Sequence, residues 1–336
     1  MKRVFIVFVM LVFMCPILGQ EKESRPVLKS GYTFTIKDQT PKLEKIGLKK
    51  LCGLKVPAKA IGKLKAKERI KQTFTTVNDL PAVFNWAEQG YQIYIRDQGA
   101  CGSCWAFAMN TISEAVVEIT MGHQVNFSEQ YLMDCNSLNY GCNGGFFDAF
   151  DRYITHGYVT ETCCPYRAED FICQCKCAHD YVLFDWFPVN GDVSCPTIEE
   201  IKQAIIQYGP VCCGITADSY FQYYNDGVYN HNAPGSPNHA VVLYGWNDAG
   251  GHWYLQNSWG DGWGENGTMR IKYNCSKIGT WAVYLSKINK ESRGHDTDCP
   301  DSCQAMSGTS LCLVGFVWLM VFSAGVIDKR RTKHRK

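Results

Sequence analysis

The ten residues Gln98-Gly99-Ala100-Cys101-Gly102-Ser103-Cys104-Trp105-Ala106-Phe107 constrain this chain most. Gly99 to Ser103 reads as a loop. From Cys104 to Ile119 the apolar residues Trp105, Ala108, Ile112, Ala115, Val116 and Ile119 then fall on one face of a helix. A cysteine that opens a helix sits among free N–H groups at the positive end of the dipole, where a thiolate is favoured. Gln98 lies six residues before Cys104, with an amide N–H that can aim at a developing oxyanion. His239 and Asn257 lie far downstream in strand contexts, as a base and the group that orients it require.

The rest of the chain supplies the frame. Ile198 to Tyr208 is predicted as an amphipathic helix begun by Thr197, with Glu200 three residues later completing a capping box. After Gly209-Pro210 the pattern turns to strands, at Ala240 to Trp246 and Trp253 to Asn257. A helical half followed by a β half places the site in the cleft between them. Eighteen cysteines exceed what a cytosolic enzyme carries and imply an oxidising compartment. The start agrees: Lys2 and Arg3, an apolar run Val4 to Cys15, and Ile17-Leu18-Gly19 read as a signal peptide over 1–19, with an uncleaved anchor as the alternative.

Charge divides the chain. Residues 20–79 hold fifteen Lys plus Arg against six Asp plus Glu, and residues 80–327 hold eleven against twenty-five. Opposite blocks on one chain fit parts that embrace each other, or a solvated basic segment beside an acidic domain. Lys59 to Lys71 reads as a charged helix or linker. Residues 287–310 read as a polar stalk. Leu311 to Ile327 is uncharged and reads as a membrane span, followed by a basic cytoplasmic tail over 328–336. The small residues Ser307, Gly308 and Ser310 keep a lipid-anchor signal open as the competing reading.

Over Leu80 to Ser286 these residues resemble the papain family of cysteine peptidases, specifically its cathepsins. The Gln98 to Phe107 segment, Gly141-Cys142-Asn143-Gly144-Gly145, Asn238-His239-Ala240-Val241, and Asn257-Ser258-Trp259-Gly260 with Gly262-Trp263-Gly264 occur in the family's order. The resemblance implies an α+β fold of two lobes, helical and β-barrel-like. It also implies an endopeptidase made as a zymogen and acting through a thioester. Cys104 would be the nucleophile and His239 its base, with Asn257 orienting His239 and Trp259 shielding that bond. The Gln98 side chain and the Cys104 N–H would form the oxyanion hole. Gly144 and Gly145 would pair with the substrate backbone, and Phe146, Phe147, Gly214 and Ala240 would fall near the second specificity pocket. Pro237 would lie at its edge and its floor near Gly279 or Thr280, favouring an apolar or aromatic residue second before the cut.

By the same analogy Cys101 bridges Cys142, and Cys135 reaches one of Cys173, Cys175 and Cys177. Cys275 resembles one end of a third bridge that has no partner in the stretch before His239. The pairs Cys163-Cys164 and Cys212-Cys213 are left unassigned. A zinc site at Cys173, Cys175 and Cys177 is the alternative to disulfides, so no metal and no cofactor is expected. Asn126, Asn266 and Asn274 open glycosylation sequons. Leu51-Cys52-Gly53 in residues 20–79 is similar to the short propeptide of cathepsin B-like members, which would inhibit the domain over 80–286. The histidine pair and long insertion of a carboxydipeptidase are missing. The expected partners are peptide or protein substrates, the propeptide and, through its span, a membrane. Nucleic acid is not one, and the chain is expected to be a monomer. The expected location is a lysosome-like vesicle or the cell surface, as a single-pass membrane protein. The competing functions are a binding protein on a catalytically dead fold and an acyl transferase using the same thioester.

Overall fold

A computed structural model of the chain describes residues 25–38, 43, 46–68, 79–173, 177–190 and 195–293. In chain order these give β1 (Phe34–Ile36), the short α1 (Leu48–Leu51), α2 (Ala58–Glu68), β2 (Val83–Asn85), α3 (Cys104–Met121), α4 (Glu129–Cys135), α5 (Asp151–Thr155), β3 (His179–Pro188), α6 (Ile198–Tyr208) and β4 (Val211–Ile215). Then follow α7 (Ser219–Gln222), β5 (Tyr224–Tyr229), β6 (His239–Asn247), β7 (His252–Gln256), β8 (Thr268–Lys272) and β9 (Thr280–Arg293). The strands form one open sheet in the order β1-β5-β8-β7-β6-β4-β9-β3, with β2 paired to the far end of β6.

Two cores flank that sheet. Alternation along β6 feeds both, with Ala240 and Val242 in the helical core and Val241 and Leu243 in the β core. The same alternation explains Cys212-Cys213: the neighbours point to opposite faces of β4, are fully buried in different cores, and keep free thiols. These cores are the helical and β lobes that the resemblance implies. Helix α6 carries the predicted capping box, with Thr197 Oγ1 accepting from Glu200 N and the Glu200 carboxylate accepting from Thr197 N.

Helix α3 was predicted with one apolar face, yet every residue from Cys104 to Val117 is buried. Its polar residues are satisfied inside. Asn110 donates to the Phe127 carbonyl at 3.1 Å, Ser113 bonds the Tyr158 hydroxyl at 2.9 Å, and Glu114 accepts from Phe127 N at 2.8 Å. Three bridges between described residues cross-link the helical lobe: Cys101–Cys142 as expected, Cys135–Cys173, and Cys163–Cys177. They take Cys173 and Cys177 out of the alternative zinc set.

Two expectations about the chain's carboxyl-terminal part change. Residues 287–293 were read as the start of a stalk but continue β9, where Ile288 is buried opposite Leu183 and Arg293 pairs with His179. The membrane assignment is withdrawn, and with it the vesicle or cell-surface location of a single-pass protein. Among the described residues no helix is long and apolar enough to cross a membrane. The run over 311–327 lies outside the described residues. The signal peptide over 1–19 and the tail over 328–336 also lie outside them.

Candidate active site

Four elements converge at the cleft. The loop before α3 brings Gln98, α3 opens with Cys104, β6 opens with His239, and the turn after β7 carries Asn257, Ser258 and Trp259. Gln98, Cys104 and His239 have no exposed surface. His239 Nε2 lies 2.8 Å from Asn257 Oδ1, which also accepts from Ser258 N at 2.8 Å. That oxygen is therefore an acceptor, the proton sits on Nε2, and Nδ1 keeps the basic lone pair. The Trp259 ring lies 4.6 Å from the His239 ring, with Phe221 packed on both.

Ser258 ties the halves of the site together, a role the sequence reading did not give it. Its hydroxyl donates to Gln98 Oε1 at 2.7 Å, while its carbonyl accepts from Gln98 N at 2.9 Å. With Oε1 held, the Gln98 amide N–H groups are aimed: Nε2 donates to the Cys101 carbonyl at 2.7 Å and the Leu51 carbonyl at 3.0 Å. His239, Asn257, Ser258 and Gln98 form one hydrogen-bonded chain.

The segment Leu51 to Lys55 runs through the cleft. The Gly53 N–H faces the Cys104 sulfur at 3.3 Å. Gly145 N donates to the Gly53 carbonyl and Lys55 N to the Gly145 carbonyl, both at 3.0 Å, a parallel bridge centred on Leu54. Close approach needs the glycines. A Cβ on Gly144 would lie 2.5 Å from Gly53 O, and one on Gly145 2.6 Å from the Trp105 ring.

Burial sets the protonation of the pair. It pushes the Cys104 thiol up to about 11, against N–H groups of Ala240, Gly53, Trp105 and Cys104 itself. It pushes the His239 imidazole down to about 4, against the Asn257 bond and the Leu51 carbonyl. With the segment seated, both groups are neutral at pH 7.

Leu54 is buried beside Gly214, whose added Cβ would lie 3.0 Å from Leu54 Cδ2, 3.2 Å from Pro237 Cβ and 3.2 Å from the Thr280 carbonyl. Of the two floor candidates, Thr280 thus lies by Gly214 and Leu54, whereas a Cβ on Gly279 would meet Ile201 and Cys195. Phe146 stacks on Phe147 at 5.1 Å and meets Trp281 edge-on at 5.7 Å. Trp281 holds a left-handed backbone, φ 55°, which no sequence signal announced. Pro237, Thr280 and Trp281 also line a cavity of 470 Å³. Ala240 follows His239 in β6 and is buried. Asn126, Asn266 and Asn274 are exposed, and Asn274 lines the same cavity as Pro237, Thr280 and Trp281.

On either side of the cleft the segment before Leu80 holds both lobes. Phe34 in β1 pairs with β5 and is buried in the β core. Ala60 and Leu64 of α2 enter the helical core. Lys63 pairs with Asp151 at 2.6 Å, Lys67 pairs with Asp185, and Lys37 donates to the Gly264 carbonyl at 3.4 Å.

The profile of the papain family cysteine proteases matches residues 80–286. The chain is 34% identical over 237 residues to the germination-specific cysteine protease 1 of Arabidopsis thaliana, which covers 68% of this chain and 62% of that protein. The chain thus spans about three-fifths of that relative's length. Among solved structures, the ragweed pollen cysteine protease Amb a 11 in its proform matches at 30% identity and TM-score 0.59, over 65% of this chain and 69% of that one. The digestive procathepsin L2 proteinase of Tenebrio molitor matches at 28% identity and TM-score 0.64, over 76% and 84%. With two lobes around a cleft that joins a cysteine, a histidine, an asparagine and a glutamine, and a profile match over more than half its length, the chain belongs to the papain family of cysteine proteases.

Proposed function

We propose that the protein is a cysteine endopeptidase made as a zymogen, with residues 20–79 as its inhibitory propeptide and 80–286 as its peptidase domain. The observation that carries this reading is the seated segment: an unbroken chain from Leu51 to Lys55 lies across Cys104 and continues past both ends of the cleft. A cleft open at both ends takes the interior of a polypeptide.

Once the propeptide leaves, Cys104 gives its proton to His239 Nδ1, and the thiolate attacks the scissile carbonyl. The negative oxygen is received by Gln98 Nε2 and the Cys104 N–H, in the region the Leu51 carbonyl now occupies. His239 returns the proton to the leaving amine, and water then hydrolyses the thioester with His239 as base. Asn257 holds the Nε2–H, Trp259 covers that bond, and Ser258 positions Asn257 and Gln98 together. Gly144 and Gly145 receive the substrate backbone. Leu54 stands in for the residue second before the cut, and the pocket of Phe146, Phe147, Gly214, Ala240, Thr280 and Trp281 selects an apolar or aromatic side chain there. Glycans on Asn126, Asn266 and Asn274 fit their exposure.

The test incubates the acid-processed full chain and its Cys104→Ala twin with a mixed peptide library at pH 5 and pH 7, reading products by mass spectrometry. Internal cuts preceded at the second position by apolar or aromatic residues, and missing in the twin, are expected. No cuts from a folded, propeptide-free sample would remove the peptidase reading.

Two predictions follow from contacts already described. Ser258→Ala frees the Gln98 amide, and its kcat should fall about tenfold with KM little changed, less than the ~10²–10³ expected for losing the oxyanion donor itself. Unchanged kcat would show that Gln98 needs no such support. Raising salt from 0.1 to 0.5 M at pH 7 should weaken inhibition by added propeptide severalfold, because Lys63 and Lys67 pair with carboxylates at a partly wet surface. Salt-independent inhibition would place the binding energy in the apolar contacts alone.

A further inference from the structure

The face that α2 covers has properties beyond latency. Helix α2 presents two pairs of residues four apart, Ala60 with Leu64 and Lys63 with Lys67. Ala60 and Leu64 are buried against the helical core. Lys63 reaches Asp151 of α5, and Asp148 is close enough to feel its charge. Lys67 reaches Asp185 of β3, and its ammonium lies 4.7 Å from the Trp186 ring centroid. The receiving groups are built into the domain: Trp186 Nε1 donates to Asp151 Oδ1 at 2.8 Å, and Asp185 Oδ1 accepts from Trp186 N at 2.8 Å. They stay when the propeptide is cut away. What is then uncovered is an apolar patch rimmed by three carboxylates, with Phe184 already 63% exposed on the adjoining strand.

We propose that this face is a substrate-docking surface of the processed protease, which takes a lysine-rich amphipathic helix lying on the amino-terminal side of the bond to be cut. The proposal rests on the peptidase reading above and on propeptide removal. Its direction follows from the cleft: Leu54 fills the second pocket and α2 begins four residues later, beyond that pocket and away from Cys104. Four residues span at most ~14 Å, so a substrate helix can engage this face while a flexible stretch of that length feeds the cleft. A substrate runs through the cleft in the opposite chain direction to the propeptide. In a reversed helix the lysines and the apolar residues each stay four apart but their order exchanges, so the docking helix carries Lys, apolar, Lys, apolar at i, i+3, i+4 and i+7 where α2 carries apolar, Lys, apolar, Lys. Charge complementarity names the occupant: the rim carries Asp148, Asp151 and Asp185, and a helix bearing acidic residues at the Lys63 and Lys67 positions is repelled.

The experiment uses two fluorogenic substrates sharing one cleavable peptide. One carries residues 57–68 in reversed order, which restores the α2 pattern for a chain running the other way, on its amino-terminal side through a four-residue flexible spacer, and the other carries the same residues scrambled. The processed enzyme should show about fivefold lower KM for the helical substrate at equal kcat, the size expected of two partly exposed ion pairs plus a small apolar contact. The Asp151→Asn, Asp185→Asn double variant keeps the hydrogen bonds to Trp186. It should lose that advantage while cutting the bare peptide as the parent does. Equal KM for the helical and scrambled substrates, or an advantage that survives in the variant, overturns the proposal. A labelled peptide of residues 57–68 is titrated in parallel against the processed protein and its Cys104→Ala twin, read by fluorescence anisotropy. Binding to both that weakens in the variant upholds the docking surface even if no peptide is cut. No binding at millimolar peptide overturns it whether or not the enzyme is active.

Discussion

At pH 7, iodoacetamide should alkylate Cys104 of the proenzyme at least ~10²-fold more slowly than Cys104 of the processed enzyme. The nucleophile is the thiolate, and a thiol held at about 11 is only ~10⁻⁴ ionised at pH 7. His239, pushed down to about 4, carries no charge to help. Both shifts have burial as their largest cause, and the segment Leu51 to Lys55 supplies much of the cover. Its removal admits water and lets thiolate and imidazolium form together, a pairing that brings such thiols to a pKa of ~3.5–7.5. Intrinsic nucleophilicity falls as the pKa falls, which takes back part of a gain of three or more powers of ten. Equal alkylation rates in the two forms, read by intact mass against time, would mean the propeptide does not control ionisation.

The same shifts decide the pH dependence. With the propeptide seated the pair holds one proton, on Cys104, because the thiol stays at about 11 and His239 is protonated only near pH 4. Uncovered, the thiolate–imidazolium pair also holds one proton, now on His239. Between about pH 4 and neutrality neither form takes up a proton relative to the other, so this pair contributes no slope to propeptide binding. Through it the inhibition constant of added propeptide should stay within about threefold from pH 6.5 to 4.5. A constant that rises about tenfold per pH unit over that range would mean that uncovering leaves Cys104 protonated.

What the sequence made legible is what local chemistry decides. The Thr197–Glu200 box is a short-range hydrogen-bond pattern, and it stands in the structure as read. Cys104 at a helix start, with Gln98 before it, is legible because the dipole and the loop are local. His239 and Asn257 were found by spacing and resemblance, and β6 and the turn after β7 bring them within 2.8 Å. Ser258 was visible as a letter but not as a link, since its bond to Gln98 crosses 160 residues. Trp281 was missed because a bulky residue in the left-handed region has no sequence signature. The continuation of β9 to Arg293 was missed because its outer residues are charged, as an edge pairing with solvent on one side allows. The opposed charge blocks were legible in sum, whereas Lys63 with Asp151 and Lys67 with Asp185 became visible only in the fold.

Gly53→Ala unlatches the zymogen. A Cβ there would lie 1.7 Å from the Gly102 carbonyl oxygen and 2.3 Å from its carbon, both backbone atoms. Gly102 cannot yield: its N–H is bonded to the Cys142 carbonyl at 2.9 Å, and Cys101–Cys142 bridges the same two strands of chain. The propeptide must therefore lift. Lifting breaks the Gly145 to Gly53, Lys55 to Gly145 and Leu54 to Asn238 backbone bonds, the last at 2.9 Å, and draws Leu54 from its pocket. Three hydrogen bonds at ~1 kcal/mol net and part of a leucine side chain at ~2 kcal/mol give ~4 kcal/mol, or ~10³ in inhibition. Residues 20–79 carrying Gly53→Ala should inhibit the processed enzyme ~10²–10³-fold more weakly than the parent peptide. The full chain with the same change should cleave peptides before any processing. Lys59→Ala, at an exposed position four residues past Lys55, serves as the control and should inhibit like the parent. The processed enzyme itself is identical in every arm, so the readout isolates the latch. Inhibition by the Gly53→Ala peptide within twofold of the parent would show that the segment seats without the close Gly53–Gly102 contact, and the latch would have to lie in Leu54 and α2 instead.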